Sequence, residues 1–143
     1  MTTDDRQTMA LSYRKKADES YVVALECFEK KHYRGTCNRA WYAVFQLITA
    51  AAYEELTATP GANRPNWAHE KQADLFKEIV RKRGQYERYR HFMGRIGQML
   101  ERRYDADYRV PDEPVVGKEE AEQSIRLAAA IRDIFVLQNA GAA

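Results

Sequence analysis

Apolar residues recur at threes and fours along most of this chain, and no stretch alternates apolar with polar. Between residues 3 and 31, Tyr13, Ala17, Tyr21, Ala24, Leu25 and Phe28 keep that spacing, which predicts an amphipathic helix. Thr3 or Asp4 suits its N-cap, and Asp4 and Asp5 suit the positive end of its dipole. His32 to Gly35 reads as a turn. A second helix follows over residues 36–56, with Cys37, Ala40, Trp41, Val44, Phe45, Ile48 and Ala52 on one broad stripe. It is apolar around much of its girth and belongs at the centre of a bundle.

Pro60, Gly61, Asn63 and Pro65 mark residues 57–65 as a long loop. A shorter helix over residues 68–82 buries Ala73, Phe76, Ile79 and Val80, and Gly84 ends it. The next spans residues 85–105, with Tyr89, Phe92, Met93, Ile96, Met99, Leu100 and Arg103 toward the core. Gly94 and Gly97 inside it each cost about 1 kcal/mol of helix propensity, so a close neighbouring backbone is expected there. A second loop covers residues 108–117, with Pro111 and Pro114. The last helix, residues 118–139, turns Ala121, Ile125, Ala128, Ile131, Ile134 and Phe135 inward. The pattern predicts an all-α fold: an antiparallel bundle of four long helices plus one short helix, in one domain over residues 1–143.

Composition narrows this little further. With 143 residues, 45% of them hydrophobic and 31% charged, the chain can bury one core and is not a disordered or collagen-like sequence. Its longest near-apolar stretch, residues 40–53, contains Gln46 and Thr49 and is too short to cross a bilayer. The N-terminus MTTDDRQTM carries acids where a secretory signal carries Lys or Arg, so a cytoplasmic protein with reduced Cys27 and Cys37 is expected.

Charge is more informative in its distribution than in its total of +2. Residues 71–103 hold ten basic and four acidic side chains, a net +6, whereas residues 105–133 hold eight acids and four bases. Seven of the ten basic residues are Arg, whose planar fork suits phosphate. The segment reads either as a solvated face answered by the acidic last helix or as a surface for RNA or a nucleotide. On one continuous helix Arg88, Arg95 and Arg102, seven apart, lie along nearly one face, with Arg90 about 200° away from Arg88.

No phosphate loop, Cys-x-x-Cys, nucleophile elbow or His-Glu-x-x-His occurs. Cys27 and Cys37, with His32 between them, lack a fourth ligand for zinc, so no metal or cofactor is expected. The informative strings are Arg39-Ala40-Trp41-Tyr42-Ala43-Val44-Phe45, His69 at a helix start, and Arg103-Tyr104-Asp105-Ala106-Asp107-Tyr108. With Ala17-Asp18-Glu19-Ser20 in the first helix, their order and spacing over residues 12–138 resemble the HEPN family (higher eukaryotes and prokaryotes nucleotide-binding domains), especially its small stand-alone prokaryotic members.

The resemblance implies a homodimeric helical bundle, often a ribonuclease toxin paired with a minimal nucleotidyltransferase antitoxin. Active members place an Arg and, four to six residues on, a His in a composite dimer site. There Arg holds the scissile phosphate and His moves the 2′-hydroxyl proton without metal. In some pairs the partner transfers AMP to a tyrosine near the motif, which points to Tyr104 or Tyr108.

The sequence departs from that pattern where the chemistry is carried. Four residues separate Arg103 from Tyr108, not from a His. Tyrosine, with an ordinary pKa of about 10, is a poor base at neutral pH unless a cation lowers it. A literal Arg-x4-His does occur from Arg64 to His69, but across the proline loop, where it reads as coincidence. His91 lies twelve residues before Arg103, about 18 Å along one helix, too far to share a site within a protomer.

Each candidate also has a structural reading. Arg103 can pair with Asp107 one turn later, Tyr108 can close the helix as a core residue, and His69 can cap or line the third helix. Trp41 and Tyr42 can be core or dimer-interface aromatics. The sequence thus supports a HEPN-type dimerisation module with weak or no nuclease activity. Its alternative is a metal-independent ribonuclease using Arg103, Tyr108 and Asp107.

Overall fold

A computed structural model describes residues 1–108 and 116–137. The helices are α1 (Thr3–Glu29), α2 (Tyr33–Glu55), α3 (Gln72–Lys82), α4 (Tyr86–Tyr89), α5 (Phe92–Tyr108) and α6 (Lys118–Arg132). A 3-10 turn, His69–Lys71, leads into α3, and a π-helical turn, Asp133–Leu137, continues α6. Among the described residues there is no strand, and no helix is long and apolar enough to cross a membrane. The expected end of the last helix at residue 139 and the loop prolines Pro111 and Pro114 lie outside the described residues.

The cap of α1 falls one residue before the expected position. Thr2 is the N-cap: its Oγ1 accepts from the Asp5 N–H, and Asp5 Oδ2 accepts from the Thr2 N–H, both at 3.0 Å. This reciprocal pair satisfies two groups that a helix start otherwise leaves open. The inward face of α1 is Ala10, Tyr13, Ala17, Ser20 and Ala24, a strict three-and-four repeat of mostly small side chains. Leu25, expected inward, is 39% exposed. The small seam draws α1 against α2, and a polar clasp fixes their register. In the orientation that satisfies its neighbours, the Gln46 amide donates to Lys16 and Tyr42 carbonyls at 3.0 Å and meets Ser20 Oγ at 2.7 Å.

Close approach at the α1–α2 turn also has a sequence cause. A Cβ on Gly35 would stand 3.1 Å from Cys27 Sγ, so glycine lets α2 begin at Tyr33, three residues earlier than its apolar stripe predicts. From Thr36 to Tyr53, α2 is buried almost all round, with Trp41, Ile48 and Tyr53 at 1% exposure or less. It is the central helix, as its composition predicts. Its end is held by cations, as a helix C-terminus favours. Arg6 donates to the carbonyls of Ala52 (3.1 Å), Tyr53 (2.9 Å), Leu56 (2.5 Å) and Ala58 (3.0 Å). Arg83 makes a two-pronged pair with Glu55, both contacts at 2.6 Å.

The predicted helix over residues 85–105 is two elements. Gly84, at φ +72°, ends α3, and the Gln85 N–H reaches back to the Val80 carbonyl at 2.7 Å. After the single turn of α4 the chain bends at Arg90–His91, where the Met93 N–H bonds to the Arg90 carbonyl at 3.1 Å. The two glycines that follow weaken the helical preference at this point. Their expected close contact is not met within the chain: a Cβ on Gly94 or Gly97 would touch nothing within 4 Å. Phe92 still turns inward, edge-on to Phe76 at 6.3 Å, and Phe76 meets Phe135 in the same way at 5.8 Å. The packed result is an all-α helical bundle.

The Arg6 carbonyl cluster yields a stability prediction. Arg6→Ala should lower unfolding free energy by roughly 1–3 kcal/mol, the cost of leaving partly buried carbonyls without donors. Urea denaturation measures it, and an unchanged midpoint would show that water replaces the guanidinium without loss.

Candidate functional site

The strings singled out in the sequence meet at one place. The first turns of α2, the 3-10 turn before α3 and the last turns of α5 bring together Asn38, Tyr42, His69, Arg103 and Asp107. Helical spacing makes this possible: Asn38 and Tyr42 are four apart on α2, and Arg103 and Asp107 four apart on α5, so each pair shares a face.

Arg103 and Asp107 form the expected ion pair, with Nε 3.1 Å from Oδ2, and the arginine side chain is only 12% exposed. The pair is further tied to α2. Arg103 donates to the Tyr42 hydroxyl at 3.1 Å, and the Asn38 amide donates to both Asp107 oxygens at 3.1 and 2.9 Å. Asn38 Oδ1 in turn accepts from Arg39 Nε and a terminal nitrogen at 2.9 and 2.8 Å. Arg39 and Arg103 both lie against the Tyr42 ring, at 4.8 and 5.6 Å, a double cation–π arrangement on an electron-rich face. Arg103 therefore holds its fork in a fixed place, with much of its charge answered by Asp107.

His69 is the residue that sequence reasoning set aside. The loop between α2 and α3 carries it back over α2, where it stacks on Phe45 at 4.5 Å and meets Tyr42 edge-on at 5.9 Å. The indole N–H of Trp41 donates to its Nδ1 at 2.9 Å. Burial pushes the His69 pKa below its ordinary 6.5, the Arg103 charge pushes it the same way, and Glu70 opposes both. The Trp41 bond adds to this direction, because an indole nitrogen can only donate and Nδ1 can accept only while unprotonated. His69 thus stands beside Arg103 as a neutral imidazole whose proton is on Nε2. Arg64, its partner in the literal Arg-x4-His spacing, lies exposed in the loop.

The remaining candidates divide. Tyr104 is 37% exposed and donates to Glu70 Oε1 at 3.4 Å, at the edge of the cluster. Tyr108 closes α5, and its side chain lies outside the described residues. His91 is exposed beside Phe92 at the opposite end of α5 from Arg103. Arg88 sits on α4, over the Tyr89 ring at 5.1 Å, and the turn at Arg90–His91 divides that element from α5, which carries Arg95 and Arg102. The single helix on which those three were expected to align does not exist. Cys27 and Cys37 are unbridged, and burial raises the Cys37 thiol pKa. No group of His, Cys, Asp and Glu suited to a metal ion occurs among the described residues.

Chemically, the cluster is a set of oriented donors. It offers the Arg103 guanidinium and the imidazole Nε2–H, next to a carboxylate already bonded by Asn38 and Arg103. Such a set can hold a phosphate oxygen. It lacks a free proton acceptor on His69. The signal that could have found it was Trp41, Tyr42 and Phe45 together on α2. Their spacing reads equally well as ordinary core.

Compared with known proteins, the chain matches the HEPN domain family model over residues 10–139. No curated protein and no solved structure matches it significantly.

The histidine environment makes a pH prediction. Since the folded pKa is depressed, the stability His69 contributes is complete above about pH 6.5 and is lost as pH falls from there through the folded value. Trp41→Phe should raise the His69 pKa, read by NMR titration of the imidazole, and should shrink that acid-side loss. An unchanged pKa in Trp41→Phe would show that the indole bond does not hold the neutral form.

Proposed function

The chain belongs to the HEPN domain family, and we propose that it works there as a helical interaction module with weak or no nuclease activity of its own. In this reading it forms a homodimer and acts beside a minimal nucleotidyltransferase in a toxin–antitoxin or defence and stress system. RNA or a nucleotide is a further partner, contacted through Arg95 and Arg102, the two arginines of the expected stripe that share α5. The observation that carries the reading is the tether on Arg103. A catalytic arginine lends its charge to the scissile phosphate, and here that charge is already answered in part by Asp107, 3.1 Å from Nε, while a terminal nitrogen donates to Tyr42 at 3.1 Å. The base is equally absent, since the His69 Nδ1 lone pair is engaged by Trp41.

Dimerisation is common among HEPN domains. Here it is supported by Gly94 and Gly97, exposed on α5 with open space around each Cβ position, where they cost helix propensity without serving the protomer. Tyr104, exposed at the edge of the cluster, and Tyr108 are the tyrosines that a nucleotidyltransferase partner would modify with AMP. A modification on Tyr104 would break its bond to Glu70 and stand beside Arg103.

A second reading has one observation in its favour: Arg103 and a histidine do lie in one cluster. A metal-independent endoribonuclease would use Arg103 to hold the phosphate, with Asp107 or Tyr108 taking the 2′-hydroxyl proton. His69 as a neutral imidazole can donate a hydrogen bond from Nε2 but can neither take a proton there nor act as the general acid, which needs the imidazolium.

Purified protein incubated with tRNA in EDTA separates the two readings. The module should leave the RNA intact. Cleavage that disappears in Arg103→Ala would establish the enzyme instead. Light scattering at micromolar concentration should give about twice the 16.6 kDa chain mass. A clean monomer would remove the dimer. The double variant Gly94→Ala/Gly97→Ala should shift the assembly toward monomer, and if it merely raises the melting temperature, that face of α5 is solvent.

A further inference from the structure

Arg102 and Arg103 are neighbours on α5, so their side chains leave the helix about 100° apart and serve different surfaces. Arg103 faces α2. Arg102 faces α6, across a groove of about 320 Å³ that it lines together with Arg95 and with Arg126 of α6. Gln98 and Gln123 stand beside these cations, and Phe92 and Leu127 contribute apolar surface.

Among the described residues no carboxylate forms an ion pair with the arginines of this groove. Several arginines elsewhere pair with carboxylates: Arg14 with Glu54, Arg83 with Glu55, Arg103 with Asp107 and Arg132 with Asp18. Among the described residues Arg95, Arg102 and Arg126 have no carboxylate partner. The three are nonetheless positioned. Arg102 donates to Gln123 Oε1, and Gln123 is itself held by Glu119 Oε1 at 3.5 Å, one turn back on α6. Arg95 lies over the Phe92 ring at 5.7 Å. Three like charges on one groove repel one another and weaken the packing of α5 on α6 unless an anion sits between them.

We propose that the α5–α6 groove is a binding site for a phosphate oligoanion, a run of two or more phosphates supplied by an RNA backbone or by a free diphosphate. The guanidinium fork matches phosphate oxygens two at a time, which an ammonium does not. Arg95 and Arg102 are seven residues apart, about 10 Å along the axis, a spread that suits adjacent phosphates better than one. The two glutamine amides add neutral donors. The groove replaces the three-arginine stripe expected from the sequence: Arg88 leaves it with α4, and Arg126 enters from α6. The RNA source rests on the RNA reading given above, whereas the diphosphate source does not.

The test uses the whole protein with two probes, a labelled short single-stranded RNA and inorganic pyrophosphate, and three variants. Arg126→Gln should weaken at least one probe by about tenfold, the loss expected for a charge-assisted hydrogen bond. For RNA it should also flatten the slope of log K against log salt by about 0.7. Lys118→Gln removes the same charge from the same helix outside the groove and should change neither. Weakening of RNA alone assigns the groove to a nucleic-acid backbone, and weakening of pyrophosphate brings in the free diphosphate. Unchanged affinity for both probes in Arg126→Gln, equal loss in Lys118→Gln, or no binding of either probe by the unaltered protein would overturn the inference. RNA binding lost in Arg103→Ala but untouched in Arg126→Gln would leave the RNA reading standing and sink the groove as its site. Pyrophosphate binding through Arg126 without any RNA binding would do the reverse.

Discussion

Burying α2 on nearly every side presses the polar groups it carries to find partners inside the bundle, because an unsatisfied one costs more than a made bond returns, and the buried Thr49 hydroxyl is the exception among the described residues of α2. The obligation shapes both ends of the helix. At its C-terminus the open carbonyls take Arg6, and Glu54 and Glu55 take Arg14 and Arg83. Near its N-terminus Asn38, Trp41 and Tyr42 reach out to Asp107, His69 and Arg103. The candidate site is thus continuous with the core. Trp41, fully buried, packs in the main apolar cluster and at the same time sets the protonation state of His69.

That continuity has a functional cost. A cluster whose members are all bonded to one another is rigid and well placed, and it has little left to do chemically. Arg103 is aimed but already paired with Asp107, and His69 has the Nδ1 lone pair engaged by Trp41. The cations of the α5–α6 groove differ in that no carboxylate among the described residues pairs with them. Two adjacent arginines on α5 therefore stand in opposite electrostatic situations. One is paired with a carboxylate within the protein, and the other is held only by the Gln123 amide among the described residues.

Much of the fold was legible because helical periodicity is a strong signal over long stretches. The positions of α1, α2 and α6 and the inward turn of Phe76, Ile96, Met99 and Ile131 follow from spacing alone. What spacing could not show was where a helix stops for local reasons. The break at Arg90–His91 leaves the apolar repeat almost intact, so the pattern reads through it, and the single helix on which the arginine stripe was inferred is divided there. Of the site, the Arg103–Asp107 pair was readable because it is local, one turn apart. His69 was not, since its meeting with Trp41 spans twenty-eight residues and an irregular loop, for which no sequence rule gives a direction.

The central claim is that His69 is held neutral with its proton on Nε2, a donor next to Arg103 and not a base. Long-range nitrogen–proton correlation NMR of the imidazole at neutral pH tests it directly. The account predicts an unprotonated Nδ1 and a protonated Nε2. A signal pattern of the opposite tautomer, or of an imidazolium, would contradict it and return the histidine to the role of a proton acceptor.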